Sequence, residues 1–252
     1  MSVDEREQLA EGSLISHLVE LRDRLLRAVI AIGVLFLPCA LYSNQLFTLI
    51  ATPLIEKMPA GTSMIATTLV APFMAPLKLA LFIALFLAMP YVLYQAWAFV
   101  APGLYKHEKN FAVPLVVSSI VLFYAGAAFA HFVVFPIMFA FLTTTAPTGV
   151  QVMTDMANYL DFVLLLYFAF GVAFEIPIAT VLLALTGLVK TETMAKNRGY
   201  VLLGIFVVAA FLTPPDAISQ TAMAVPMYLL YEVGIVMSRI MLKKRSNSDP
   251  AE

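Results

Sequence analysis

Apolar residues gather into six stretches along the chain, at about 25–42, 72–97, 112–142, 159–188, 200–213 and 218–237, with short polar segments between them. A helix needs roughly 20 mostly apolar residues to cross a hydrocarbon core of about 30 Å. The pattern therefore predicts an all-α, polytopic membrane protein of six transmembrane helices. The stretches are unequal. The third and fourth run to about 30 residues each, enough to cross at a steep tilt or to project beyond the bilayer. The fifth and sixth, near 14 and 20 residues, are short and imply local thinning of the bilayer. Pro38, Pro76, Pro90, Pro114, Pro136, Pro177 and Pro226 all fall within these spans. Each removes a backbone hydrogen bond and bends its helix, which lipid tolerates where neighbours re-satisfy the freed carbonyl. Six kinked helices of this kind favour a cupped bundle. No internal repeat, low-complexity segment or second domain interrupts the pattern. Residues 1–252 read as one integral-membrane domain, with 238–252 a polar cytoplasmic tail.

Charge placement orients the spans. The N-terminal segment carries Arg6, Arg22, Arg24 and Arg27, and the loop after the second span Lys106 and Lys109. The loop after the fourth span carries Lys190, Lys196 and Arg198, and the C-terminal tail Arg239, Lys243, Lys244 and Arg245. The opposite side has only Lys57, with Lys78 near the outer end of the second span. By the positive-inside rule both termini face the cytoplasm, which agrees with an even number of spans. Composition adds little beyond this: 62% of residues are hydrophobic and 12% charged, against roughly 45–50% apolar in a soluble domain. The single cysteine, Cys39, rules out an intrachain disulfide. Asp4, Glu5, Glu7 and Glu11 make the N-terminus acidic, so no cleavable signal with a basic leader is expected.

Four segments carry candidate chemistry. In the first, Ser16 to Arg24, Leu14, Leu18, Leu21 and Leu25 recur at helical spacing, giving an amphipathic helix at the cytoplasmic surface that leads into the first span. Glu20 pairs with Arg24 at i,i+4 in a bland reading and offers a binding carboxylate in a functional one. The second is the loop Phe99 to Glu108, where Pro102 and Gly103 form a turn and Glu108 sits at a helix start favoured by the dipole. In the third, Glu175 lies deep in the fourth span beside Pro177. A charge there costs at least about 2.5–3.5 kcal/mol on insertion scales, which marks it as a functional candidate. The alternative is a neutral glutamic acid hydrogen-bonded to a carbonyl freed by Pro177. The fourth is the outer turn from Thr213 through Asp216 to Ser219 and Gln220, in which Asp216 can cap the sixth helix.

Several chemistries are absent from the pattern. There is no Gly-x-Ser-x-Gly, no His-Glu-x-x-His and no phosphate loop, so neither protease chemistry nor nucleotide hydrolysis is expected. His17, His107 and His131 lack metal-ligand spacing, and no metal is expected. The chain reads as a non-enzyme. Its chief rival reading is a secondary transporter or channel with Glu175 as the coupling carboxylate. Against that, no cation sits at mid-span, and the other polar residues cluster at the membrane faces.

Taken together these segments resemble the TatC family, the polytopic subunit of the twin-arginine protein translocase. The resemblance rests on His17 to Arg22, on Trp97 to Tyr105 with Glu108, on Phe174 to Pro177, and on Thr213 to Asp216 with Ser219 and Gln220. They occur in the family's order and spacing, within six spans that cover nearly the whole chain, and no family motif is broken. The resemblance implies a core translocase subunit in the bacterial cytoplasmic (inner) membrane. Such a subunit receives signal peptides bearing paired arginines and exports folded proteins on the proton-motive force, with no cofactor. Implied partners are the single-span subunits TatA and TatB, other copies of the chain, the signal peptides and membrane lipid, but not nucleic acid. Glu20 and Glu108 would read the arginine pair, because guanidiniums favour planar carboxylate partners. Arg22 belongs to the same motif, and Phe99 would give the peptide an apolar contact. Glu175 would lie on the concave, lipid-facing side, Gln220 in the partner-docking face formed by the fifth and sixth helices, and Pro53 and Asp216 in the periplasmic cap.

Overall fold

The computed structural model describes residues 3–55, 65–100, 109–138, 155–213 and 216–248. Among these residues helices carry nearly all of the backbone: α1 (Val3–Leu41), α2 (Ser43–Ile55), α3 (Ala71–Val100), α4 (Lys109–Phe129), α5 (Met156–Ala173), α6 (Ile176–Leu185), α7 (Thr191–Lys196), α8 (Arg198–Leu212) and α9 (Ala217–Ser248). A π turn, Ala130–Val134, continues α4. Five helical stretches are long and apolar enough to cross a bilayer: Ile15–Leu41, Ala71–Phe99, Val113–Met138, Met156–Leu185 and Ala217–Lys243. The shorter apolar helix α8 supplies the sixth. Its 15 residues rise only about 22 Å, well short of the hydrocarbon core.

Three features depart from the sequence pattern. First, the amphipathic N-terminal segment is not a separate surface helix, because α1 runs unbroken for 39 residues. No turn residue separates Ser13 from the apolar span, so nothing stops the helix. Second, the stretch after Tyr42 forms α2, which packs on α3. Its polar opening, Ser43 to Gln45, reads as loop in the sequence, and the apolar residues behind it are too few to mark a span. Pro53 falls in its last turn. Third, α9 passes Met237 and continues to Ser248, so the helix of the sixth span has 32 residues. Pro38, Pro76, Pro90, Pro114 and Pro226 stay inside uninterrupted helices. At Pro177, by contrast, one helix has just ended and another begins.

The chain forms two compact units, Met1–Met58 with Thr68–Val116, and Pro59–Thr67 with Val117–Glu252. In the first unit α3 packs against α1 and α2. It presents a buried stripe of Ala71, Ala75, Ala80, Ala84 and Ala88. Small residues at near four-residue spacing let helix backbones approach closely, the main source of packing energy where lipid is as apolar as leucine. The outward residues, among them Val29, Ile30, Val34 and Leu37, are exposed apolar side chains suited to hydrocarbon.

In the second unit a core of Ala130, Val134, Val163, Leu166, Phe170, Ala209, Met223 and Met227 joins the π turn to α5, α8 and α9. Glycines set the helix spacing. A side chain at Gly126 would strike the backbone of Phe170, and one at Gly171 would meet the ring of Phe123. Gly234 of α9 likewise lies against Pro177 and Thr180 of α6. Gly187, with φ 73°, ends α6 in the left-handed conformation that glycine adopts without strain.

Candidate functional site

The N-terminal half of α1 meets the C-terminal end of α3 in a corner built from two rungs. His17 and Phe99 stack with ring centroids 4.3 Å apart and planes within 16°. Two turns along α1, Arg24 donates from Nε and Nη2 to Oε1 of Glu20, at 2.9 and 2.6 Å, and from Nη1 to Oε1 of Gln95, at 3.2 Å. His17, Glu20 and Arg24 share one helical face by their three- and four-residue spacing, as do Gln95 and Phe99 on α3. Glu20 is 37% exposed and Arg24 22%, whereas Gln95 is buried. Arg22 points elsewhere, with Nε and Nη2 on Oδ1 of Asp23 at 3.0 and 2.8 Å. An open groove along this face of α1 is lined by Ser16, Val19, Glu20, Asp23, Arg24 and Arg27. The structure thus brings Glu20 and Phe99 to one corner and gives each an intrachain partner. Glu108 lies outside the described residues.

The fourth span breaks at its acid. Phe174 and Glu175 stand between α5 and α6, with the amide of Glu175 donating to the carbonyl of Val172 at 3.0 Å and Pro177 opening α6. The partner of the carboxyl group is not a carbonyl freed by Pro177. It is the hydroxyl of Ser119 on α4, which donates to Oε2, while Oε1 is buried without a partner among the described residues. Ser119 itself is fully buried. A buried, half-satisfied carboxyl at a helix break is costly, and such groups persist where a function requires them.

Two further constellations lie towards the polar ends of the second unit. At one, Asp216 caps α9, accepting the amide of Ser219 at 2.7 Å, and its Oδ2 is buried without a partner among the described residues. Gln220 follows one residue on, half-buried, its amide donating to the carbonyl of Asp216 at 3.2 Å. The other fastens the segment 65–67 to the start of α5. Asp155 accepts the amides of Ala157 and Asn158 on Oδ1, at 3.0 and 2.9 Å, and the hydroxyl and amide of Thr67 on Oδ2, at 2.6 and 3.1 Å. These donors, the Thr67 hydroxyl first among them, hold its carboxyl below the usual carboxylate range. A third lies midway along α9, where Glu232 accepts a two-pronged bond from Arg198, at 2.6 and 2.8 Å, and one from the hydroxyl of Tyr228 at 2.8 Å.

Sequence reasoning singled out Glu20, Phe99, Glu175, Asp216 and Gln220 but missed Gln95, Ser119, Asp155 and the partner of Glu232. A usable signal existed for the first three. Gln95 and Ser119 are polar residues inside apolar spans, and each needs a partner there. Asp155 stands directly before an apolar run, as an N-cap does.

The family model for Sec-independent protein translocase protein (TatC) matches residues 16–226. A protein of that name from Escherichia coli (strain K12) is 51% identical over 236 residues, covering 94% of this chain and 92% of the relative. One from Azotobacter chroococcum mcd 1 is 55% identical over 222 residues, covering 88% and 87%. Among solved structures, a crystal structure of the twin-arginine translocase receptor TatC superposes with a TM-score of 0.79 at 35% identity. That match covers 89% of this chain and 98% of the other.

Proposed function

This chain belongs to the TatC family of Sec-independent protein translocase proteins, and on that premise we propose that it is the signal-peptide receptor of a twin-arginine translocase, with Glu20 and Glu108 holding the two signal arginines. The observation that carries the reading is the corner of α1 and α3. There a partly exposed carboxylate, Glu20, already accepts a guanidinium through two hydrogen bonds. A guanidinium can thus address this carboxylate with two N–H groups at once, which a lysine ammonium, being a point charge, does not reproduce.

In this reading both termini are cytoplasmic, as the distribution of lysine and arginine indicates. The membrane is the bacterial cytoplasmic membrane, and folded cargo crosses it on the proton-motive force. TatA, TatB and further copies of the chain complete the complex. Phe99, stacked on His17, forms the apolar wall beside the arginine site. Glu175 and Gln220 belong to the faces that receive single-span partners, and Pro53 and Asp216 to the periplasmic cap.

The test is a photo-crosslink from position 20 or 108 to a peptide bearing paired arginines ahead of an apolar stretch, with paired lysines as control. Glu20→Ala and Glu108→Ala should each weaken the crosslink while the protein remains inserted. Normal binding by the double variant would end the proposal. A coupling carboxylate for solute transport, the rival role for Glu175, predicts no co-purifying single-span proteins.

A further inference from the structure

We infer that Arg24 is a resident competitor for the Glu20 carboxylate, occupying the place of a signal arginine until the peptide displaces it, and that Gln95 holds Arg24 when it is displaced. The inference rests on the reading of Glu20 as a receiver of a signal arginine.

The geometry divides the guanidinium of Arg24 into two edges. Nε and Nη2 lie on Oε1 of Glu20, and Nη1 lies on Oε1 of Gln95. No described residue bonds Oε2 of Glu20, so an incoming guanidinium can dock there before the resident one leaves. The two bonds of Arg24 differ in environment. Its pair with Glu20 is partly exposed, where water and salt weaken ion pairs and an exchange of partners costs little. Gln95 is only 5% exposed, and a buried amide oxygen deprived of its donor carries the full desolvation penalty. When a second guanidinium arrives, the bond to Glu20 therefore yields and the bond to Gln95 persists. Arg24 is then neither left unpaired nor pressed against the newcomer.

A competitor lowers the affinity of every ligand for its site by the same factor. Arg24 leaves the preference for arginine over lysine unchanged but shifts the whole scale. Peptides with paired lysines, already the weaker binders, then fall below useful occupancy.

The experiment measures crosslink yield against peptide concentration, with the full-length chain in membrane vesicles and fluorescent peptides bearing paired arginines or paired lysines. Arg24→Gln should tighten both peptides about two- to five-fold, the range that surface ion pairs span, with their ratio unchanged. Arg24→Lys, which keeps the charge but loses the fork, should show most of that gain. Gln95→Met should act in the opposite direction, because Arg24 then has nowhere else to go. A merely structural role would move all three variants the same way and would overturn the inference. So would a gain in Arg24→Gln absent from Arg24→Lys, which would reveal simple charge repulsion. Unchanged or weaker binding by Arg24→Gln, with Glu20→Ala still weakening the crosslink, sinks the inference and spares the receptor reading. Normal binding by the Glu20→Ala, Glu108→Ala double variant removes both.

Discussion

Replace Gly126 with alanine and the added methyl has no room. Its carbon would fall 2.9 Å from the carbonyl carbon of Phe170 and 2.9 Å from Cγ of Phe174, closer still to the Phe170 oxygen. Two of these three atoms are backbone, so no side-chain rotation relieves the clash, and α4 must retreat from α5. Overpacking of a tight site costs typically about 1–3 kcal/mol, and a backbone collision belongs at the upper end. Alanine recovers about 0.5–1 kcal/mol as the better helix former. The net loss is then about 2 kcal/mol. At about 2–4 °C per kcal/mol for a chain of this size, the thermal midpoint should fall by about 4–8 °C. Size-exclusion chromatography of heated samples in detergent micelles measures that midpoint. Gly204→Ala on α8 is the control, since nothing lies within 4 Å of its added carbon, and it should match the wild type or exceed it. Function should follow stability. Ser119 lies about two turns from Gly126 on the same helix, so separating α4 from α5 pulls its hydroxyl away from Glu175. Equal midpoints for the two alanine variants would refute the claim that close approach at Gly126 sets the spacing of α4 and α5.

Three other outcomes follow from the same structure. Ser119→Ala strips the hydroxyl partner from a carboxyl whose other oxygen has none among the described residues. It should lower stability by about 1–3 kcal/mol, and Glu175→Gln, which keeps the acceptor and the shape, should transport better than Glu175→Ala. The reverse order in a transport assay would show that charge, not shape, is required. Asp155, whose carboxyl is held below the usual range by Thr67 and the first amides of α5, contributes stability that is present above the unfolded carboxylate value near 4 and lost as pH falls through its lower folded value. The midpoint difference between wild type and Asp155→Asn should therefore shrink below about pH 4, and a gap unchanged to the lowest accessible pH would refute the assignment.

What unites the acidic positions is that each is tied to a partner on another helix, or on another turn of its own. Glu20 meets Arg24 and, through it, Gln95; Glu175 meets Ser119; Glu232 meets Arg198 and Tyr228. A polar group at membrane depth finds no water, so it bonds to protein. Among the described residues Glu20 and Glu232 each have a guanidinium as resident partner, from Arg24 and Arg198, and of these two carboxylates only Glu20 stands at the corner of α1 and α3.

The sequence by itself determined the number and order of the spans, because burial in lipid demands about 20 apolar residues in a row and writes that demand locally. It also offered an expected direction for them, since lysine and arginine are read loop by loop, and the candidates Glu20 and Glu175, conspicuous as acids at or within apolar helices. Only the tertiary structure decided what each acid touches. Ser119 is 56 positions from Glu175, and Gln95 is 71 from Arg24, and no local periodicity encodes separations of that kind. The same holds for the glycines: Gly126 and Gly204 look alike in the sequence, yet one lies against a neighbouring backbone and the other has open space beside it. Periodicity fixes which face of a helix is apolar, but which partner covers that face, and how closely, follows from packing among all the helices at once.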